Sequence, residues 1–382
     1  MQACSSHWER GTPRNFFPGT HDACAEELDK LGISGRLGAA RLQADGREHQ
    51  INPDTTMDIL HDKDADISVL NGKTVAVIGY GAQGRAQALC MRDSGVHVII
   101  GLRPGKSWDA AVQDGFEVVS VDEAAQRGDV IHLLLPDEKH GEVYTNQIKP
   151  AMKAGKTLCC SHGFAYVFKT IEPPADVDVI MVAPKGPGTE VRRVFEEGFG
   201  CPGLIAVFQN PSGHAREVAL AMAKAEGLTR GGVLECTMAQ ETYEDLFGEQ
   251  NVLCGGLVDL MKYGFETLIE AGYPAEMAYF ECVHEAKLIV DLIYNGGIQR
   301  MNAVISNTAE FGEYYNGPQI LGPEVKEKMK ESLKRIESGE FARVWLEEAA
   351  AGAPNLQAKR AALADHPVEI VGKKIRSLFE RK

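Results

Sequence analysis

Between residues 74 and 94 the chain meets three constraints in a row. An apolar, largely β-branched run, Thr74-Val75-Ala76-Val77-Ile78, leads into Gly79-Tyr80-Gly81-Ala82-Gln83-Gly84, and a helix-compatible stretch over 86–94 follows. Glycine at the first place permits a tight turn, at the second a close backbone approach to a bound group, and at the third close helix–strand packing. The helix that follows offers its N-terminal amides to a pyrophosphate. A bare G-x-G-x-x-G is a weak signal, but its place between strand and helix points to a dinucleotide-binding βα unit. Short, turn-bounded apolar runs then recur at 96–100, 116–119, 130–135, 157–160, 179–182 and 203–207. Strands that are apolar throughout suit a parallel sheet covered on both faces, so the spacing predicts an α/β, doubly wound domain. After about Glu235 the strands stop. Amphipathic stretches at 238–271, 275–294, 323–338 and 342–350 predict an all-helical second domain, with boundaries at 57–236 and 237–382.

The second strand carries no acid at its end for a ribose 2′-hydroxyl. It runs instead into Gly101-Leu102-Arg103-Pro104-Gly105-Lys106-Ser107, where Arg103, Lys106 and Ser107 suit a 2′-phosphate. NADPH is therefore the expected cofactor, with NADH as the alternative. Ser161-His162-Gly163 and Ala183-Pro184-Lys185-Gly186-Pro187-Gly188 each follow a strand, which places both at the carboxyl edge of the sheet, where ligands bind in open α/β folds. The plain alternatives are a hydrogen-bonded loop histidine for His162 and a surface lysine for Lys185.

In the helical half, Asp245 and Glu249 are four residues apart, as are Glu281 and Glu285, so each pair projects from one helix face. Both pairs run in line with apolar residues, Val252, Leu253 and Leu260 after the first, Leu288 and Leu292 after the second. Buried carboxylates need a compensating cation, no lysine or arginine shares the stripe, and hard divalent ions take oxygen ligands from such sets. A pair of Mg²⁺ ions is expected, against solvated helix faces as the plain alternative. Ser306 is equally readable as a helix N-cap.

The chain has 382 residues, and 40 Lys+Arg against 54 Asp+Glu give a formal charge of −14, which disfavours nucleic acid and anionic membrane surfaces as partners. No apolar run approaches the roughly 18–20 residues of a membrane span. Nine cysteines without C-x-x-C spacing read as reduced, mostly buried thiols in a cytoplasmic protein. Residues 1–56 show no sustained period and too many acids for a transit peptide; they read as a leader or a misplaced start, with the fold beginning at Met57.

From Met57 onward these residues resemble the ketol-acid reductoisomerases, also called acetohydroxyacid isomeroreductases. The likeness rests on Asp62-Lys63-Asp64-Ala65-Asp66, on Val75 to Gly81, on Ala183 to Gly188, on Phe280-Glu281-Cys282-Val283-His284-Glu285 and on Ser306-Asn307-Thr308-Ala309-Glu310. It implies a Rossmann-type domain followed by a knotted helical domain, here in the short form with one helical unit. It further implies a homodimer, or a dodecamer built from dimers, whose helical domains complete one another. By position, Asp245 would bridge two Mg²⁺ ions and Glu249 ligate one, with Glu281 and Glu285 supplied by a partner chain. Lys185 and Glu285 would assist proton movements, Ser306 would hold the substrate carboxylate, and His162 would act beside the nicotinamide. Tyr80, Gly81, Ala82, Gln83, Arg103, Ser107, Asp137, Glu138, Lys139, His140 and Gly188 fall at cofactor-contacting positions. The implied reaction is an alkyl migration in 2-acetolactate or 2-aceto-2-hydroxybutyrate, then reduction by NADPH to a 2,3-dihydroxy acid, in valine and isoleucine biosynthesis. The competing readings are a metal-free, lysine-dependent β-hydroxyacid dehydrogenase-like enzyme, and a dinucleotide-binding protein without turnover.

Overall fold

The computed structural model describes residues 57–379, so the expected leader at 1–56 lies outside the described residues. Eight strands form one sheet: β1 (Thr74–Ile78), β2 (His97–Gly101), β3 (Glu117–Val119), β4 (Val130–Leu133), β5 (Thr157–Cys160), β6 (Asp178–Pro184), β7 (Gly203–Gln209) and β8 (Val233–Glu235), in the order β3-β2-β1-β4-β5-β6-β7-β8. Alternate residues point to opposite faces. Val75, Val77, Val98, Ile100 and Ile180 enter one buried cluster, while Ala76, Ile78, Ile99, Ile131 and Met181 enter another. Both faces are thus covered, as the apolar runs predict.

The helices of this half are α1 (Ala82–Asp93), α2 (Lys106–Gln113), α3 (Val121–Arg127), α4 (Asp137–Val143), α5 (Phe164–Val167), α6 (Gly188–Glu196), α7 (Ala215–Ala225) and α8 (Leu228–Gly231). One expectation needs correction, because the sheet is mixed: β7 pairs antiparallel with β6, Pro184 opposite Gly203, while every other pair is parallel. The link through α6 leaves and re-enters the sheet at the same edge. Direction is a property of the connection, which apolar runs do not encode. β8, with only three residues, is too short to show a period.

Past β8 the chain is helical: α9 (Met238–Gly248), α10 (Gly255–Glu270), α11 (Ala275–Tyr279), α12 (Glu285–Val304), α13 (Asn307–Ile320), α14 (Pro323–Glu337), α15 (Glu340–Ala350), α16 (Pro354–Ala364) and α17 (Pro367–Arg376). Thr237 and Gln240 form a capping box that starts α9. Leu246, Ile336 and Ala342 pack with Phe164 and so seat α9, α14 and α15 against α5. A second correction concerns the apolar stripes. Within one chain Leu253, after the first acid pair, is 65% exposed and Leu288, after the second, 50%, and Glu281 and Glu285 are exposed, so neither stripe is buried along its length. The seven described cysteines are all free, and no helix among the described residues is long and apolar enough to cross a membrane.

Candidate active site

Strand order reverses between β1 and β4, the kind of switch point where ligands bind beyond the carboxyl ends of strands. The glycine turn leaves β1 there. Gly79 has φ +108°, and a Cβ on it would run into the Leu134 carbonyl; a Cβ on Gly84 would run into the Gly79 carbonyl. Gly81 caps α1, and Gly81 and Ala82 are exposed. Gly188, at the start of α6, has room for no Cβ either, since one would collide with the Ala82 carbonyl, so α6 is pressed onto the turn. Gln83 Nε2 donates to the Gly186 carbonyl at 2.9 Å. Tyr80 is buried and its hydroxyl donates to Asp114 at 2.8 Å, which leaves mainly its backbone for a cofactor.

After β2, the Gly105 turn starts α2, and Arg103, Lys106 and Ser107 are exposed, with no ion pair to either cation among the described residues. Asp137 and Glu138 open α4 near the turn; burial raises the Asp137 carboxyl. Lys139 pairs with Glu142 at 3.4 Å on the surface. His140 is buried against the Leu135 carbonyl at 2.9 Å, and burial lowers its pKa, so its ring is a structural donor in this chain.

The chemistry converges on α9. Gly163 lies so close to α9 that a Cβ would meet the Thr242 hydroxyl and the Met238 side chain, and this contact brings the loop after β5 onto the helix. His162 Nδ1 then sits 3.2 Å from Glu241 Oε2 and 3.6 Å from Asp245 Oδ2. From the loop after β6, Lys185 Nζ donates to Glu241 Oε1 at 2.7 Å and to Asp245 Oδ1 at 3.0 Å. Glu241 is 1% exposed. Desolvation alone would raise its carboxyl, but the His162 and Lys185 partners outweigh that and lower it. Burial likewise works against the charged forms of His162 and Lys185; the Glu241 and Asp245 carboxylates win, and both pKa values rise. His162, Glu241 and Asp245 place ligand atoms within 4.8 Å of one another.

Glu249 follows one turn on, where α9 widens into a π turn over Glu249–Leu253. Desolvation first, then the negative Asp245, holds its carboxyl above the usual range. Two acids that repel in this way are a donor set that a divalent cation would relieve. The second pair also sits at a π turn, Phe280–His284, and such turns are frequent at functional sites. Among the described residues no hydrogen bond or ion pair joins Glu281, Glu285 or Ser306 to the cluster. Ser306 caps α13, accepting from the Ala309 amide at 3.1 Å, which realises the plain alternative within this chain.

Glu241 is the residue that sequence reasoning missed. It lies four before Asp245, so the signal was a third acid on the same face, in the run Glu241, Asp245, Glu249. The missing cation was also present, on a loop far away in sequence.

Two family descriptions match the chain: acetohydroxy acid isomeroreductase, NADPH-binding domain, over residues 69–232, and ketol-acid reductoisomerase, C-terminal domain, over residues 238–381. A ketol-acid reductoisomerase (NADP(+)) of Akkermansia muciniphila is 86% identical over 325 residues, 85% of this chain and 100% of that protein. A ketol-acid reductoisomerase (NAD(+)) of the uncultured archaeon GZfos26G2 is 64% identical over 332 residues, again covering 85% of this chain and 100% of its own. Among solved structures, an NADH-preferring ketol-acid reductoisomerase from an uncultured archean superimposes with a TM-score of 0.83 at 64% identity, covering 85% of this chain and 100% of that one. These matches set aside the metal-free dehydrogenase and the non-catalytic reading. The chain belongs to the ketol-acid reductoisomerase family.

Proposed function

We propose that this enzyme of branched-chain amino-acid biosynthesis carries out both steps, alkyl migration and reduction, at the cluster around Glu241, with NADPH and two Mg²⁺ ions, in the cytoplasm. The observation that carries the assignment is the meeting of His162 and Lys185, from two sheet-edge loops, with Glu241 and Asp245 of one helix. Asp245 and Glu249 would hold the metal from this chain, and Glu281 and Glu285 of a second copy would complete the set. When bound, Mg²⁺ polarises neighbouring substrate oxygens and offsets developing alkoxide charge.

This chain's own residues then do three things. Lys185, charged and fixed between Glu241 and Asp245, is placed to move a proton to or from a substrate oxygen. Glu241, buried and bonded to both bases, keeps Lys185 and His162 in one orientation. The glycine turn brings the dinucleotide to the same sheet edge, with Arg103, Lys106 and Ser107 facing the 2′-phosphate end. Ser306 and Glu285 meet substrate through the partner's copy of the site.

The test is NADPH oxidation with 2-acetolactate, with and without Mg²⁺, on wild type, Asp245→Asn and Lys185→Gln. The expected outcome is metal-dependent turnover that falls by at least about 10²-fold in each variant, the scale of a lost proton-transfer or electrostatic group. Turnover indifferent to Mg²⁺ and to both substitutions would overturn the assignment. For the cofactor, Arg103→Ala is expected to lower kcat/KM with NADPH while leaving NADH little changed; equal loss with both would remove the 2′-phosphate role.

A further inference from the structure

Beneath the glycine turn runs a buried polar chain that neither the metal set nor the proton-transfer groups use. Gln83 Nε2 donates to the Gly186 carbonyl, so Gln83 Oε1 must face the other way, where it accepts from Gln87 Nε2 at 3.0 Å. Gln87 Oε1 is then turned to His132, whose Nε2 lies 2.8 Å away and must carry the proton. Ser161 Oγ joins the same junction, 3.1 Å from Gln87 Oε1 and 3.3 Å from His132 Nε2. One backbone carbonyl therefore sets the polarity of every group along the chain. Gln87 and His132 are both fully buried, and burial holds His132 neutral, down to about 3. Its Nδ1 finds no partner among the described residues, so its ring is held through Nε2 alone, by Gln87 and more distantly by Ser161.

Buried amides and an imidazole are costly beside an apolar packing of the same shape. What distinguishes this chain is where its members lie. Gln83 belongs to the dinucleotide turn, Ser161 adjoins His162 at the end of β5, Gly186 adjoins Lys185 after β6, and His132 anchors the set in β4. Gln87, in the middle of α1, is the one residue that reaches the other three side chains.

We propose that Gln87, with His132 and Ser161, is a positioning residue that ties the dinucleotide turn to the two loops carrying His162 and Lys185, so that hydride donor and proton-transfer groups keep one register. The proposal rests on the reading that His162 and Lys185 serve the chemistry. Displacements near an ångström at such a site are costly in rate, which gives the network a function that an apolar core would not supply.

The experiment compares the Mg²⁺-loaded enzyme as wild type, Gln87→Met, Gln87→Met/His132→Leu and Lys185→Gln, with NADPH and 2-acetolactate. Gln87→Met keeps length and bulk but removes the bonds; the double variant also removes the His132 N–H, which Gln87→Met leaves with only the longer contact to Ser161. The expected result is a kcat at least about tenfold lower in both Gln87 variants, with the KM for 2-acetolactate changed far less. The isotope effect on kcat with NADPH deuterated at the transferred hydrogen should exceed that of wild type, because misplaced hydride transfer limits turnover. The melting temperature should fall in Gln87→Met and recover in the double variant while the rate does not. A rate that recovers together with the melting temperature, or a wild-type rate and isotope effect in Gln87→Met, overturns the proposal. Full turnover in Lys185→Gln is a different failure, because it removes the reading beneath the proposal whatever the Gln87 variants do.

Discussion

At the end of α7, Glu226 is 1% exposed and neither of its carboxylate oxygens has a partner among the described residues. Burial pushes its carboxyl well above the ordinary value. A carboxyl raised on folding contributes stability that is complete below its unfolded pKa and is lost as pH rises toward the folded one. Glu226→Gln should therefore raise the melting temperature at pH 8, because it removes the buried group that would otherwise have to ionise or hold a proton there, and should do little near pH 4. Thermal melts of both proteins across that range check this; an equal shift at both ends would mean that ionisation is not the cause. At the same scale, most of the site was legible one residue at a time. His162 and Lys185 were readable from their position after strands, and Asp245 and Glu249 from their spacing. Glu241 was not, because a single acid gains meaning only when two bases from other elements point at it.

The glycine turn shows what an element can announce by itself, since glycine is needed wherever a Cβ would meet backbone. Gly188 makes the same point across elements. Its closest obstruction is the Ala82 carbonyl, 106 positions earlier in the chain. Gly188→Ala should lift α6 from the turn and weaken NADPH binding by at least about tenfold, roughly 1.4 kcal/mol, as read by fluorescence titration of the folded protein. Unchanged affinity would show that α6 does not shape the cofactor site. The antiparallel β7 and the π turns beside both acid pairs were not legible. A strand's direction follows from which edge its connector returns to, and a π turn is one extra residue accommodated by packing, so neither leaves a period in the sequence.

Taken as a whole, the single chain leaves its helical half unfinished. Val252, Leu253, Leu260, Leu288, Ile293 and Tyr294 are all exposed on α10, α12 and the π turn between α9 and α10, around acids that do not reach the Glu241 cluster. An apolar face of that extent calls for a partner surface, and a second copy would bring Glu281 and Glu285 with it. Co-expressing Asp245→Asn with Glu281→Gln subunits should then restore about a quarter of wild-type turnover, because half of randomly paired dimers carry one intact site of two. No recovery, with dimers confirmed by sedimentation, would place both acid pairs in one chain. The alternating α/β half, the glycine turn and the chemical character of the site follow from the amino-acid order, because period, turn chemistry and residue type are local. Folding alone brings Lys185 to compensate Glu241 and Asp245, sets Gln87 against Gln83, His132 and Ser161, and turns the second acid pair outward. Those facts are contacts between residues far apart in sequence, and no local pattern records which distant side chain will answer a buried charge.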